Sequence, residues 1–204
     1  MGKTNFPADT YQHRSPDETV EMYQGWAASY DEDVAAYGYA TPARIAEALR
    51  ATGVNLSRPV LDFGCGTGLS GDALRRAGFQ TIDGCDVSAE MLARARARGI
   101  YRRLWTAEPG APGFARGDYG AIVATGVVSL GAAPPDTLRL LTDRLAPGDL
   151  LVFSYNQPTV ADPAYAAALD AEVAEGRAEI LARETGPHLP EKDMTADVIT
   201  LRRL

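Results

Sequence analysis

Two cysteines, two histidines and the lack of any long apolar run remove most simple routes to a metal centre, a disulfide framework or a membrane span in these 204 residues. Cys65 and Cys85 each lie beside a glycine in expected strand-to-loop segments, and their spacing matches no metal-ligand pattern. His13 and His188 are far apart in sequence. No metal site is expected, and a reduced, cytoplasmic setting follows. The N-terminus lacks an apolar signal core, and Phe6 stands where a myristoylation pattern on Gly2 requires Ser or Thr. There is no internal repeat. A formal net charge of -7 argues against nucleic acid and membrane surfaces as partners and favours a small-molecule substrate, with the chain a monomer or homodimer. One basic cluster stands apart: Arg94, Arg96, Arg98, Arg102 and Arg103 read either as a phosphate patch or as the solvated end of a helix, where cations are favoured.

What is present is a 46% hydrophobic chain of a length suited to one domain. After a polar first dozen residues, expected to be mobile or draped over the body, Ser15, Pro16 and Glu18 spell a capping box that opens a helix. Tyr23, Trp26 and Tyr30 recur in it at helical spacing, with Tyr37 and Tyr39 close behind. Such a stripe is either a buried cap or an aromatic wall over a ligand pocket. Thr41-Pro42 opens a second helix. From residue 58 short apolar runs alternate with helical segments: strands at 59–63, 79–86, 100–105, 119–124 and 150–154, and helices at 69–77, 88–98 and 135–145. A helix from Asp162-Pro163 carries Tyr165, Leu169 and Val173 at four-residue spacing. Two last strands, 178–184 and 196–201, are joined by a polar loop. The expected fold is α/β: a Rossmann-like, seven-stranded, mostly parallel sheet with helices on both faces, an antiparallel C-terminal hairpin and an N-terminal helical cap. Residues 1–57 form the cap segment and 58–204 the core of a single domain.

The first core strand ends in Asp62 and runs into glycines 64, 66 and 68, whose bare backbone lets a nucleotide-like ligand approach the loop and the following helix N-terminus. The second ends in Asp86, and a carboxylate there accepts both hydroxyls of a ribose. Gly66, Gly68 and Gly71 also satisfy a dinucleotide fingerprint if the loop is read from its second glycine. In that frame, however, position 69 is Leu69, and the motif does not begin as the strand ends.

The stretches VLDFGCGTG, GCDVSAEML, YGAIVATGVV and LAPGDLLVFS resemble, in order and spacing, the motif series of class I S-adenosylmethionine-dependent methyltransferases. YDEDVAAYGYATPARIAEAL looks like the entry helices of the subgroup related to the methyltransferase-like protein of the Williams-Beuren region. The resemblance implies S-adenosylmethionine as cofactor and S-adenosylhomocysteine as product; a small molecule with an aromatic or apolar part is the default acceptor. A cofactor-binding protein without transferase activity would carry the same motifs. It further implies that Asp62, Gly64, Cys65, Gly66 and Gly68 surround the methionine part and that Asp86 holds the ribose. Val87 and Met91 would pack near the adenine, Ala107 and Glu108 would sit by its amino group, Thr125 and Gly126 would line the sulfonium region, and Tyr30 would close over the cofactor. Around 108 the chain has Thr-Ala-Glu-Pro where relatives often carry a Gly- or Ala-Asp pair. Methyl transfer needs a base only if the nucleophile starts protonated. His188 is then either a base or an uninvolved surface histidine. Tyr155 and Asn156, just past the fifth strand, are expected to touch substrate, as are Tyr23, Trp26 and Tyr37.

Overall fold

The computed structural model describes Thr10, Gln12 and residues 15–204; the expectations for His13, Phe6 and the N-terminal arm lie outside the described residues. The capping box is formed, with Glu18 N donating to Ser15 Oγ at 3.3 Å and Ser15 N to Glu18 at 2.8 Å. It opens α1 (Pro16–Trp26), which stops short of Tyr30; a turn follows and the chain restarts as α2 (Tyr30–Ala36). The acidic run Asp31-Glu32-Asp33 fills the first turn of the new helix, where the dipole favours it. The stripe is therefore two helices, and its rings meet across a turn: Trp26 and Tyr30 lie edge to face with centroids 4.7 Å apart.

The chain continues through α3 (Thr41–Ala51), β1 (Val60–Phe63), α4 (Leu69–Arg76), β2 (Ile82–Asp86), α5 (Ala89–Ala97), β3 (Arg103–Thr106) and β4 (Ala121–Ala124). It ends with α6 (Asp136–Thr142), β5 (Leu150–Asn156), α7 (Gln157–Ala161), α8 (Pro163–Ala174), β6 (Ala178–Leu189), a 3-10 turn (Pro190–Lys192) and β7 (Met194–Arg203). The seven strands form one sheet in the order β3-β2-β1-β4-β5-β7-β6. The first five are parallel, and β7 runs antiparallel between β5 and β6. The expected Rossmann-like, mixed α/β architecture is the one found. Strand order reverses between β1 and β4, which opens a crevice at their carboxyl ends.

Period-two alternation sends neighbouring strand residues to opposite layers. Leu61, Ile122, Leu151 and Phe153 pack with Leu138, Leu141 and Tyr165 of α6 and α8. Val60, Val123 and Val152 pack with Ile45, Leu49 and Leu74 of α3 and α4. Strands buried on both faces read as unbroken apolar runs, as β4 and the first four residues of β5 do.

Three expectations are corrected. The hairpin arms run to Leu189 and from Met194, so the expected polar loop shrinks to the 3-10 turn. Val173 is exposed, and α8 instead buries Glu172, which accepts from Thr142 Oγ1 at 2.6 Å and pairs with Arg177. The basic cluster is no patch. Arg98 ion-pairs with Asp31 and Asp72, Arg102 with Asp83, and Arg103 lies over the Trp105 ring; only Arg94 and Arg96 remain at the solvated helix end. Among the described residues no helix is long and apolar enough to cross a membrane.

Candidate functional site

The glycines after β1 serve different purposes. A Cβ on Gly64 would lie 2.3 Å from Val127, so this position is bare because β4 and its loop press against it. A Cβ on Gly68 would meet Arg98, and one on Gly71 would meet the Tyr101 hydroxyl at 2.3 Å. Gly71 thus makes room for Tyr101, which removes the reason for reading the loop as a dinucleotide fingerprint. Gly66 differs: it has a φ of +53, and a Cβ there meets no heavy atom within 4 Å. Its open side belongs to a cavity of about 530 Å³.

That cavity lies in the crevice at the carboxyl ends of β1, β2 and β4. Of the expected cofactor residues, Tyr30, Gly64, Gly66, Asp86, Val87, Met91, Ala107, Glu108, Thr125 and Gly126 line it. Three do not. Cys65 turns its sulfur toward Leu92 and Ala95, Gly68 faces Arg98, and Asp62 lies wholly inside the protein behind the loop. Cys85, on β2, lines the cavity instead. Thr19, Val20 and Tyr23 of α1 roof it, and the small-residue loop from Gly131 to Pro135 closes its far side.

Asp86 accepts Gly66 N at 2.8 Å on one oxygen and Ser88 N at 2.9 Å on the other. Each oxygen keeps acceptor capacity, so the carboxylate can still take two hydroxyls. Burial raises its pKa and so weakens it as an acid, against the pull of those amides. Asp62 accepts the Ser70 hydroxyl at 2.6 Å and the Tyr101 hydroxyl at 2.7 Å, both on Oδ2. Its Oδ1 is buried with no partner among the described residues, and so is the Thr125 hydroxyl at the end of β4. Burial, opposed by the Ser70 and Tyr101 bonds, pushes the Asp62 carboxyl up to about 6. Orphaned buried polar atoms are rare; Thr125 lines the cavity, where a polar ligand can complete its bonding, whereas Asp62 lies behind the glycine loop and acts on the crevice through its charge. With the open face of Gly66 and the spare capacity of Asp86, the residues fit a ribonucleoside that carries an ammonium group.

A second chamber of about 40 Å³ adjoins the first, and Tyr23, Tyr30 and Gly126 line both. Its other walls include Trp26, Tyr39, Asn156 and His188. Gly126 is fixed on both sides, its N–H donating to Ser154 Oγ at 2.9 Å and its carbonyl accepting the Ser129 hydroxyl at 3.0 Å. Trp26 donates its indole N–H to the buried Asp33 at 2.9 Å, which ties α1 to α2.

His188 is not at the surface. It is 5% exposed, its Nδ1 lies 2.8 Å from Thr41 Oγ1, and its ring meets Tyr39 edge to face. Burial, with the nearby Arg44 guanidinium, holds it down at about 4, so the ring is neutral at pH 7. Two expected substrate residues are displaced. Tyr155 belongs to β5 and is a core side chain, packed between Phe153 and Tyr165 with its hydroxyl on Tyr165 O at 3.2 Å; it lines neither space. Tyr37 faces away, with the Lys192 ammonium 4.3 Å from its ring centroid, and Tyr39 takes its place. Gly38, at a φ of +71, reverses the chain between the two tyrosines.

Comparison with known proteins follows the same lines. Residues 36–193 match a family model described as a methyltransferase domain. Methyltransferase-like protein 27 of Homo sapiens is 35% identical over 128 residues, covering 60% of this chain and 52% of the human protein; the chain thus spans about half the length of that relative. Among solved structures, a chain of the complex between the Haloferax volcanii Trm112 methyltransferase activator and the putative methyltransferase aligns with a TM-score of 0.69 at 16% identity. It covers 89% of this chain and 97% of that one. An S-adenosylmethionine-dependent methyltransferase from Mesorhizobium loti aligns with a TM-score of 0.57 at 21% identity, covering 77% and 96%. These structural likenesses carry the fold.

Proposed function

This chain belongs to the methyltransferase domain family, and from that premise we propose that it moves a methyl group from S-adenosylmethionine to a small-molecule acceptor. One observation carries the reading: the large cavity runs along the glycine loop and Asp86 and abuts a small aromatic chamber, the two sharing Tyr23, Tyr30 and Gly126 as walls. A donor lying in the first space presents its methyl at that shared wall to an acceptor in the second.

In this reading Asp86 accepts the ribose hydroxyls, and the Asp62 carboxylate, behind the loop, favours the methionine ammonium through its charge. Val87 and Met91 flank the adenine with Ala107 and Glu108, and Thr125 and Gly126 stand near the sulfonium. The bound cofactor supplies an electrophilic methyl on a good leaving group. The protein's own share is positioning and dryness: the glycine loop admits the donor, α1 roofs it, and Tyr30 excludes water between the two spaces.

Calorimetry with S-adenosylmethionine, S-adenosylhomocysteine and NADH tests the cofactor assignment. Micromolar binding of the first two and none of the third is expected; NADH binding alone would overturn it. Incubation with labelled donor and pooled small metabolites then tests transfer, and a protein that binds donor but labels nothing is a binding module.

A further inference from the structure

The acceptor chamber has a polarity that its residue types do not announce. Asn156 ends β5 and caps α7, its Oδ1 accepting both Thr159 N at 3.0 Å and the Thr159 hydroxyl at 2.7 Å. A backbone N–H can only donate, so these bonds fix which way the amide faces. The Nδ2 end is left over. It donates to nothing among the described residues, and Asn156 lines the chamber. The site therefore offers a fixed pair of N–H donors, while the matching side-chain acceptor is committed twice to Thr159.

Charge points the same way. No lysine, arginine, aspartate or glutamate lines the chamber among the described residues, and its walls are mainly aromatic or aliphatic. Among the described residues the one ring there capable of taking a proton, His188, is buried, neutral and a weak base. A nucleophile that arrives protonated has no strong base beside it among the described residues. A primary or secondary amine would also lack an acceptor for its N–H groups at Asn156.

We propose that the acceptor is an oxyanion already ionised at neutral pH, a carboxylate or acidic enol or phenol on a small apolar body, held by the Asn156 amide for O-methylation. The inference rests on the cofactor reading above. An anionic oxygen has lone pairs for the amide and one more for the methyl carbon. The acceptor oxygen forms the new C–O bond as the C–S bond breaks; the electron pair of that bond stays on sulfur, and no proton moves. Opposite charges are annihilated, which a chamber with no charged side chain among the described residues favours over a transfer that leaves the positive charge on the acceptor. At about 40 Å³ the chamber takes roughly three waters' worth of atoms, enough for the reacting oxygen and the atoms next to it, with the rest of the acceptor outside it.

The test uses isobutyrate, benzoate and 4-nitrophenolate as probes, with isobutyramide and isobutylamine as shape-matched controls, titrated by ligand-observed NMR into full-length protein loaded with S-adenosylhomocysteine. Two variants keep a capping oxygen for Thr159 and remove the amide donor, Asn156→Asp and Asn156→Ser. Binding of S-adenosylhomocysteine to each variant reports that it is folded. The expected result is at least tenfold tighter binding of an oxyanion than of its matched amide or amine, lost in whichever variants load the cofactor product. Equal binding of the controls, a preference surviving in a loaded variant, or loaded wild type that takes none of the oxyanions would overturn the proposal. Wild type that fails to bind S-adenosylhomocysteine brings down the cofactor reading itself, a distinct outcome read in a separate titration.

Discussion

The Thr67 hydroxyl donates to Asp31 Oδ1 at 2.5 Å, so the glycine loop after β1 is bonded directly to α2. Arg98 completes the junction: it donates to Thr67 O at 2.6 Å and pairs with both Asp31 and Asp72 of α4. One guanidinium thus joins the loop, the first core helix and the cap, and the residue after Ser29 that it helps to hold is Tyr30.

Arg98→Ala should release the cap without unfolding the sheet. Loss of a partly buried, charge-assisted cluster is worth about 1–2 kcal/mol, or a Tm lowered by roughly 3–8 °C. Amide exchange should quicken across residues 30–36 and stay slow in α6. Uniform quickening, or none in the cap, would show that the cluster does not couple these elements.

Gly64 and Gly66 should separate stability from binding. Gly66→Ala adds a methyl to open space, so the free protein bears only the left-handed backbone cost of about 1–2 kcal/mol. The same methyl intrudes on the cofactor cavity, and S-adenosylhomocysteine affinity should fall more than tenfold. Gly64→Ala drives a carbon into Val127 and should lower stability far more. Comparable melting losses in the two variants would contradict this assignment.

The Asp62 carboxyl, pushed up to about 6 by burial, binds its proton more tightly in the folded chain than in the unfolded one. The sign follows: between about pH 4 and 6 the folded state holds more protons, so this group's contribution to stability declines as pH rises through that window. The groups facing it are Ser70, Tyr101, the Gly71 backbone N–H and, through space, Asp86. An ammonium ligand favours the ionised form. S-adenosylhomocysteine affinity should therefore climb up to about pH 6 and then level, with proton release visible as a buffer-dependent heat below it. Asp62→Asn should flatten both trends, and a pH-independent affinity in the wild type would refute the pairing.

Asp86→Ala removes two charge-assisted bonds to the ribose. A loss of about 2–3 kcal/mol, or 30- to 150-fold in S-adenosylhomocysteine affinity, is expected from calorimetry. The N–H groups of Gly66 and Ser88 also lose their partner, so melting of the free variant must be measured alongside. Affinity within threefold of wild type would place the ribose elsewhere.

Most of the residues that line the large cavity were legible because their signals are local: glycines after a strand end and a carboxylate closing the next strand. The small chamber depends on pairings that no local window contains. The apolar run of β5 stops at Phe153, yet pairing of Tyr155 with Asp197 and of Asn156 with Ala196 carries the strand two residues past its expected end, and this buries Tyr155. His188 sits between a proline and a leucine in an otherwise polar stretch, and its partner Thr41 is 147 residues away. Arg98 looked like one of five solvated arginines until α2 and α4 brought Asp31 and Asp72 to it. Tyr37 and Tyr39 differ only by the turn at Gly38, which spacing alone does not resolve.

The outermost strand β6 carries one more consequence. It forms a free sheet margin, a surface that invites another extended chain to zip alongside. Here the margin is interrupted: its register slips between Ile180 and Ala182, and Arg183 and Glu184 follow directly on the exposed edge. Arg183 is drawn back onto Asp197 of β7 at 2.7 Å. A kinked, charge-bearing border of this kind discourages fibrous growth and strand-exchange partners, and it leaves the hairpin free to hold His188 against the cap.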